Sequence, residues 1–204
     1  MKKLKIIYCL MSISFSVSFS QTPDWNWENY RYRGLYHGYV IKINGEKTDG
    51  FIVLNGQTEN QESCTFLIDS SDYKNKVKYK PADLTEYKVA DKIYRAINYS
   101  GGLSAKPLKF VLLTKPGYIS QYVWYDYDDE IKKIEEKQVY QKGSEKPFEN
   151  ADFILKFAKF FSALTADNPE MSAKIANKEK GYGMLKLLEI IDEYNAWYEQ
   201  NHKK

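Results

Sequence analysis

The sequence predicts an α+β protein: an antiparallel β meander, as an open sheet or a small barrel, followed by a C-terminal helical segment of two to three helices. Three observations carry this. Between residues 35 and 142, apolar side chains alternate with period two in short runs separated by Gly, Pro and Asn-Gly turn signals. After Pro147 the apolar spacing becomes helical. The 204 residues include 18 Tyr, 10 Phe and 4 Trp, and aromatic rings pack well on pleated surfaces.

Taken in order, residues 1–20 read as a signal peptide. Met1 to Lys5 is cationic, Ile6 to Phe19 is apolar and serine-rich, and Ser18-Phe19-Ser20 offers small residues before a cut at Gln21. An uncleaved anchor is the alternative, without a stop-transfer flank to support it. Cys9 follows Ile6-Ile7-Tyr8 and so makes a poor acylation site. The expectation is an exported chain, periplasmic or secreted, with no lipid anchor and no transmembrane segment in its mature part.

Residues 21–34 form an aromatic-rich lead, "QTPDWNWENYRYRG", in which Trp25 and Trp27 could stack on a sugar ring or tie the segment to the domain. The β domain is expected over 35–142. Leu35, His37, Tyr39, Ile41 and Ile43 fall on one face of a first strand, and Asn44-Gly45 turns it into Gly50 to Asn55. A polar loop, Gly56 to Glu62, leads to Ser63–Asp69 with Cys64, Phe66 and Ile68 in phase. Further strands are predicted at 77–79, 86–90, 93–99, 108–114 and 118–126, the last two joined by Lys115-Pro116-Gly117. Residues 131–142 are ambiguous between helix and a final strand over 138–142.

The helical segment is expected over 147–204, packed on the β domain or on itself. Phe153, Ile154, Phe157, Phe160, Phe161 and Leu164 form one stripe of a helix starting near Asn150. Asn168-Pro169 caps a second helix, and Met184 to about Tyr198 forms a third.

Charge and residue inventory exclude several functions. Removing residues 1–20 takes away Lys2, Lys3 and Lys5 and no acid, leaving 30 less three, or 27, basic residues against 27 acidic ones. A mature chain without net charge has no global field for nucleic acid, so no nucleic-acid partner is expected. Cys64 alone remains and can form no internal disulfide. Its alternation with Phe66 and Ile68 makes it a small buried hydrophobe. His37 reads as a core or interface residue and His202 lies in the tail, so a hydrolase triad lacks its base. Ser71-x-x-Lys74 lies between strands rather than at a helix start, unlike a serine–lysine enzyme. Asp126, Asp128 and Glu130 imitate a calcium loop, but Ile131 stands where glycine is needed and Lys137 where glutamate is needed. No metal site and no cofactor is expected.

One surface feature stands out. In "KNKVKYKP", Lys76, Lys78 and Lys80 project to one face of a strand while Val77 and Tyr79 face the other. The comb could bind a polyanion, or it could keep an edge strand from pairing with other chains.

Several stretches, "GYVIKINGEKTDGFIVL", "YKPADLTEYKVADKIYRA", "LKFVLLTKPGYISQYVWYDYD", "FAKFFSALTADNPEMSAKIANK" and "EIIDEYNAWYE", resemble a group of secreted proteins from Bacteroidetes-type bacteria with no established activity. The resemblance implies a β-then-α secreted chain and transfers no functional residue. The leading expectation is a non-enzymatic binding module for an envelope protein or glycan. The alternatives are a carboxylate-dependent hydrolase of envelope carbohydrate and an assembly factor that docks through its helical tail. Sequence leaves the oligomeric state open.

Overall fold

The computed structural model describes residues 30–99 and 108–202. The predicted signal peptide and the candidate residues Trp25 and Trp27 lie outside them. The chain runs β1 (Gly34–Lys42), β2 (Lys47–Leu54), α1 (Gln57–Glu62), β3 (Cys64–Leu67), β4 (Val77–Tyr79), β5 (Leu84–Val89), β6 (Lys92–Asn98), β7 (Leu108–Lys115), β8 (Ile119–Asp128), β9 (Lys133–Lys142) and β10 (Phe148–Glu149). Helices α2 (Asn150–Phe153), α3 (Phe157–Leu164), α4 (Pro169–Ala176) and α5 (Leu187–Asn201) follow. The α+β class is as expected, and the sheet is open: ten antiparallel strands in the order β10-β9-β8-β7-β6-β5-β1-β2-β3-β4.

That order forces a curl. The chain walks outward from β1 to the edge strand β4, then returns to place β5 on the other side of β1. Laid flat, β4 and β5 would be about 19 Å apart, four strand spacings. The link between them, residues 80–83, contains a tight turn in which the Asp83 N–H donates to the Lys80 carbonyl at 2.9 Å. Such a link cannot span the flat distance, so β1–β4 roll toward β5. The roll encloses a core of Val40, Ile52, Phe66, Leu84, Tyr87 and Tyr94 among others.

Helix α1, predicted as a polar loop, closes one end of the roll. Its only sequence signal is Glu59, whose Oε2 accepts from the Gly56 N–H at 3.0 Å. Ladder pairing between β7 and β8 is registered at Leu112↔Val123 and Leu113↔Tyr122, with Lys115↔Gln121 beyond a bulge, and stops short of Tyr125. At Tyr125 the Gln61 side chain acts as a peptide. Its Nε2 donates to the Tyr125 carbonyl and its Oε1 accepts from the Tyr125 N–H, both at 2.7 Å. Asn60 holds the other side, where its carbonyl accepts from the buried Tyr87 hydroxyl at 2.7 Å.

The helices cover the other end of the sheet. Ile119 and Tyr140 of the sheet and Phe148 pack with Phe153, Phe161, Ile175 and Ile191. A third cluster, including Val111, Leu113, Tyr122 and Trp124, lies on the reverse face, as alternation along β7 and β8 requires. A clasp reinforces the helical layer. Lys142 Nζ donates to the Leu164 carbonyl at 2.7 Å and to Asp167 at 3.1 Å, while the Tyr194 hydroxyl donates to Asp167 at 2.6 Å.

Three expectations need correction. The inward residues of β1 are Tyr36 and Val40, not the Leu35–Ile43 series; His37 is exposed, against Phe51, and Ile43 is 70 % exposed. Polar tips decide the phase: the Tyr39 hydroxyl donates to Glu86 at 2.7 Å on the outer face, whereas Val40 has nothing to offer water. The first predicted helix is broken at residues 154–156 into α2 and α3. A straight helix would turn Phe153 and Phe161 about 80° apart; the break brings their rings to 5.0 Å, each buried. The third helix begins as a 3-10 turn, Met184–Lys186. The ambiguous 131–142 stretch forms β9, paired with β8 over its whole length.

Candidate functional site

The end of the roll opposite α1 is open, and β4 sits at its rim. Val77 and Tyr79 face inward with Phe66 and Ile68 of the β3 region, and the β1–β2 turn overhangs them with Lys42, Glu46 and Thr48. Together with Asp69, Asp72 and Asn75 they bound a cleft of about 430 Å³. The half-buried Tyr79 ring lies on its floor, backed by the buried Phe66 ring with centroids 6.3 Å apart. Phe66 packs there because β2 carries a glycine diagonally across from it: a Cβ at Gly50 would come within 2.7 Å of the Phe66 ring. Ile68 is 76 % exposed and Val77 44 %, so the apolar wall meets solvent.

The rim is polar and acidic. Asp69 Oδ1 accepts from the Ser71 N–H and hydroxyl, both at 2.8 Å, and these bonds hold the carboxyl below its ordinary range. Asp72 Oδ2 accepts from the Asn75 amide at 2.6 Å. Glu46 is held low by the hydrogen bond and charge of Lys42 at 3.1 Å. Among the described residues nothing donates to Asp69 Oδ2 or Asp72 Oδ1, which leaves two acceptors for a ligand. Three carboxylates against one lysine make the mouth anionic.

The lysine comb stands beside this cleft and turns away from it. Lys76, Lys78 and Lys80 are exposed on the face opposite Val77 and Tyr79. Lys76 lies over the exposed Tyr73 ring at 4.1 Å, and β4 is an edge strand of only three residues. Two of the residues that line the cleft, Val77 and Tyr79, are therefore the comb's own alternates. Ser71 and Lys74 form no pair; Ser71 serves the Asp69 turn. Cys64 is buried and burial pushes its thiol up. Asp128 accepts from the Glu130 and Ile131 N–H groups, a hairpin-tip role, and no cluster able to hold a metal occurs among the described residues.

A larger groove of about 880 Å³ lies between the β7–β8 turn and α5. Its polar groups mainly hold α5 in place. Lys115 pairs with Asp192 at 2.7 Å, Asn195 brackets the Ile119 peptide at 2.7 and 3.0 Å, and His202 stacks on Tyr198 at 4.0 Å. No helix among the described residues is long and apolar enough to cross a membrane.

Comparison of the chain with protein-family models, curated proteins and solved structures finds no match, so no residue role enters from a relative.

Proposed function

We propose that the protein is an exported, non-enzymatic binding module that takes a segment of envelope glycan into the cleft at the β4 rim. One observation carries the reading: a solvent-open aliphatic wall, Ile68 and Val77, beside the half-buried Tyr79 ring, ringed by ionised acceptors. Sugar rings offer an apolar face for such a wall and hydroxyl donors for such a rim. The excess of carboxylates favours a glycan with amino groups over an acidic one.

The hydrolase alternative needs a carboxyl kept protonated near neutral pH to serve as general acid. Glu46 and Asp69 are shifted the other way. Calorimetric titration with chito-oligosaccharides and their deacetylated counterparts tests the reading. The deacetylated series is expected to bind more tightly, and D69N/D72N to weaken it at least tenfold, about 1.4 kcal/mol. Equal binding by the variant, or release of new reducing ends by the purified protein, would sink the proposal.

A further inference from the structure

The break between α2 and α3 and the 3-10 turn before α5 bring apolar side chains into solvent on one side of the helical layer. Leu155 is 98 % exposed and Leu185 97 %, and both Ile154 and Met184 are exposed beside them. Ile154, Leu155 and Met184 line a shared cleft with Lys156, Lys159 and Lys178, and no carboxylate lines it. None of these three lysines is ion-paired with a described residue. Of the neighbouring lysines, Lys174 pairs with Glu170 at 2.7 Å and Lys186 with Glu189 at 2.6 Å, while Lys180 has no ion pair with a described residue. The chain has no net charge once residues 1–20 are set aside, but around this cleft cations predominate, although Lys156 and Lys159 also line an adjoining cleft with Glu145 and Asp152.

We propose that this tip docks on an anionic lipid surface, with Leu155 and Leu185 entering the acyl boundary while Lys156, Lys159 and Lys178 meet headgroup phosphates. Apolar side chains ringed by unpaired cations are the pattern that holds a peripheral protein in the interface plane. A second copy of this chain fits poorly, because a two-fold contact would set lysine against lysine. A protein partner would need sockets for two protruding leucines, whereas a fluid acyl layer needs none. The proposal is independent of the glycan cleft, which lies at the far end of the sheet order.

The test reads the tip locally, because the apolar residues 6–19 of the full chain could themselves hold lipid. A C9S/L155C chain carries an environment-sensitive dye at position 155; Cys64 is buried and does not compete. A C9S/D129C chain carries it on the exposed β8–β9 tip. With phosphatidylglycerol vesicles at low salt, the dye at 155 is expected to shift to the blue and the dye at 129 to stay aqueous. Adding K156Q/K159Q/K178Q should weaken the response at 155 by more than about tenfold, as should high salt. Circular dichroism should be unchanged, since Leu155, Lys156, Lys159 and Lys178 are all exposed. The proposal is overturned by no shift at 155, by an equal shift with neutral phosphatidylcholine, by a shift at both positions, or by a response to polyglutamate without one to vesicles.

Discussion

Replacing Gln61 by leucine tests how the rolled sheet is closed. The side chain is 1 % exposed and supplies both a donor and an acceptor to the Tyr125 peptide at 2.7 Å. Leucine keeps the bulk but strips a buried N–H and a buried C=O of the hydrogen bonds that Gln61 gives them. Each such group costs about 1–3 kcal/mol, so Q61L should lose roughly 4 kcal/mol. That is a large share of the ~5–15 kcal/mol that stabilises an ordinary domain. For a chain of this size it should lower Tm by roughly 10 °C. Thermal melting gives the global effect, and hydrogen exchange at the Tyr125 amide gives the local one. A loss below about 0.5 kcal/mol, typical of a surface site, with Tyr125 protection intact would refute the idea that Gln61 replaces a ladder partner.

Other predictions follow from the same packing. A Cβ at Gly38 would lie 1.8 Å from the Lys88 carbonyl oxygen, so G38A should fail to give a folded chain by circular dichroism. A normal melt would show that β1 and β5 tolerate separation. At Asp167, burial pushes the carboxyl up, but the hydrogen bonds from Tyr194 and Lys142 and the Lys142 charge outweigh it and hold it low. A carboxylate held low in the fold stabilises it above the unfolded value of about 3.9 and loses that contribution as pH falls through the folded value. K142M should therefore melt lower at pH 7 and show a shallower stability loss below about pH 4 than the parent. An identical acid limb would remove Lys142 from the clasp. For the comb, K76Q/K78Q/K80Q should leave stability within about 0.5 kcal/mol and leave glycan affinity unchanged, while light scattering shows more self-association through the edge β4. A loss of glycan affinity would place the lysines in the site.

Much of the fold was legible in local signals. Asn44-Gly45, Lys115-Pro116-Gly117 and Asn168-Pro169 each mark a turn or cap that the structure contains, and the Asn168 side chain accepts from the Met171 N–H at 3.1 Å. What escaped was long-range. The β4 to β5 return, which rolls the sheet, has no signature beyond Pro81 and Asp83. Helix α1 is six polar residues whose buried Asn60 and Gln61 satisfy distant Tyr side chains and peptides, so composition alone suggests a loop. The break after Phe153 lacks a Gly or Pro and arises from ring packing around Phe148. The cleft was half visible. Sequence reading put Val77 and Tyr79 on the correct alternate face, but only the roll shows that this face opens to solvent beside Asp69 and Asp72.

The cleft at the β4 rim is tested most directly by magnetic resonance titration of the labelled protein with a deacetylated chito-oligosaccharide, with the sugar's own signals followed in the same tube. The expected result is amide shifts centred on Phe66, Ile68, Val77 and Tyr79, with the sugar recovered intact. Shifts centred instead on the groove of Lys115, Asn195 and His202, no shifts at all, or new reducing-end signals would contradict it.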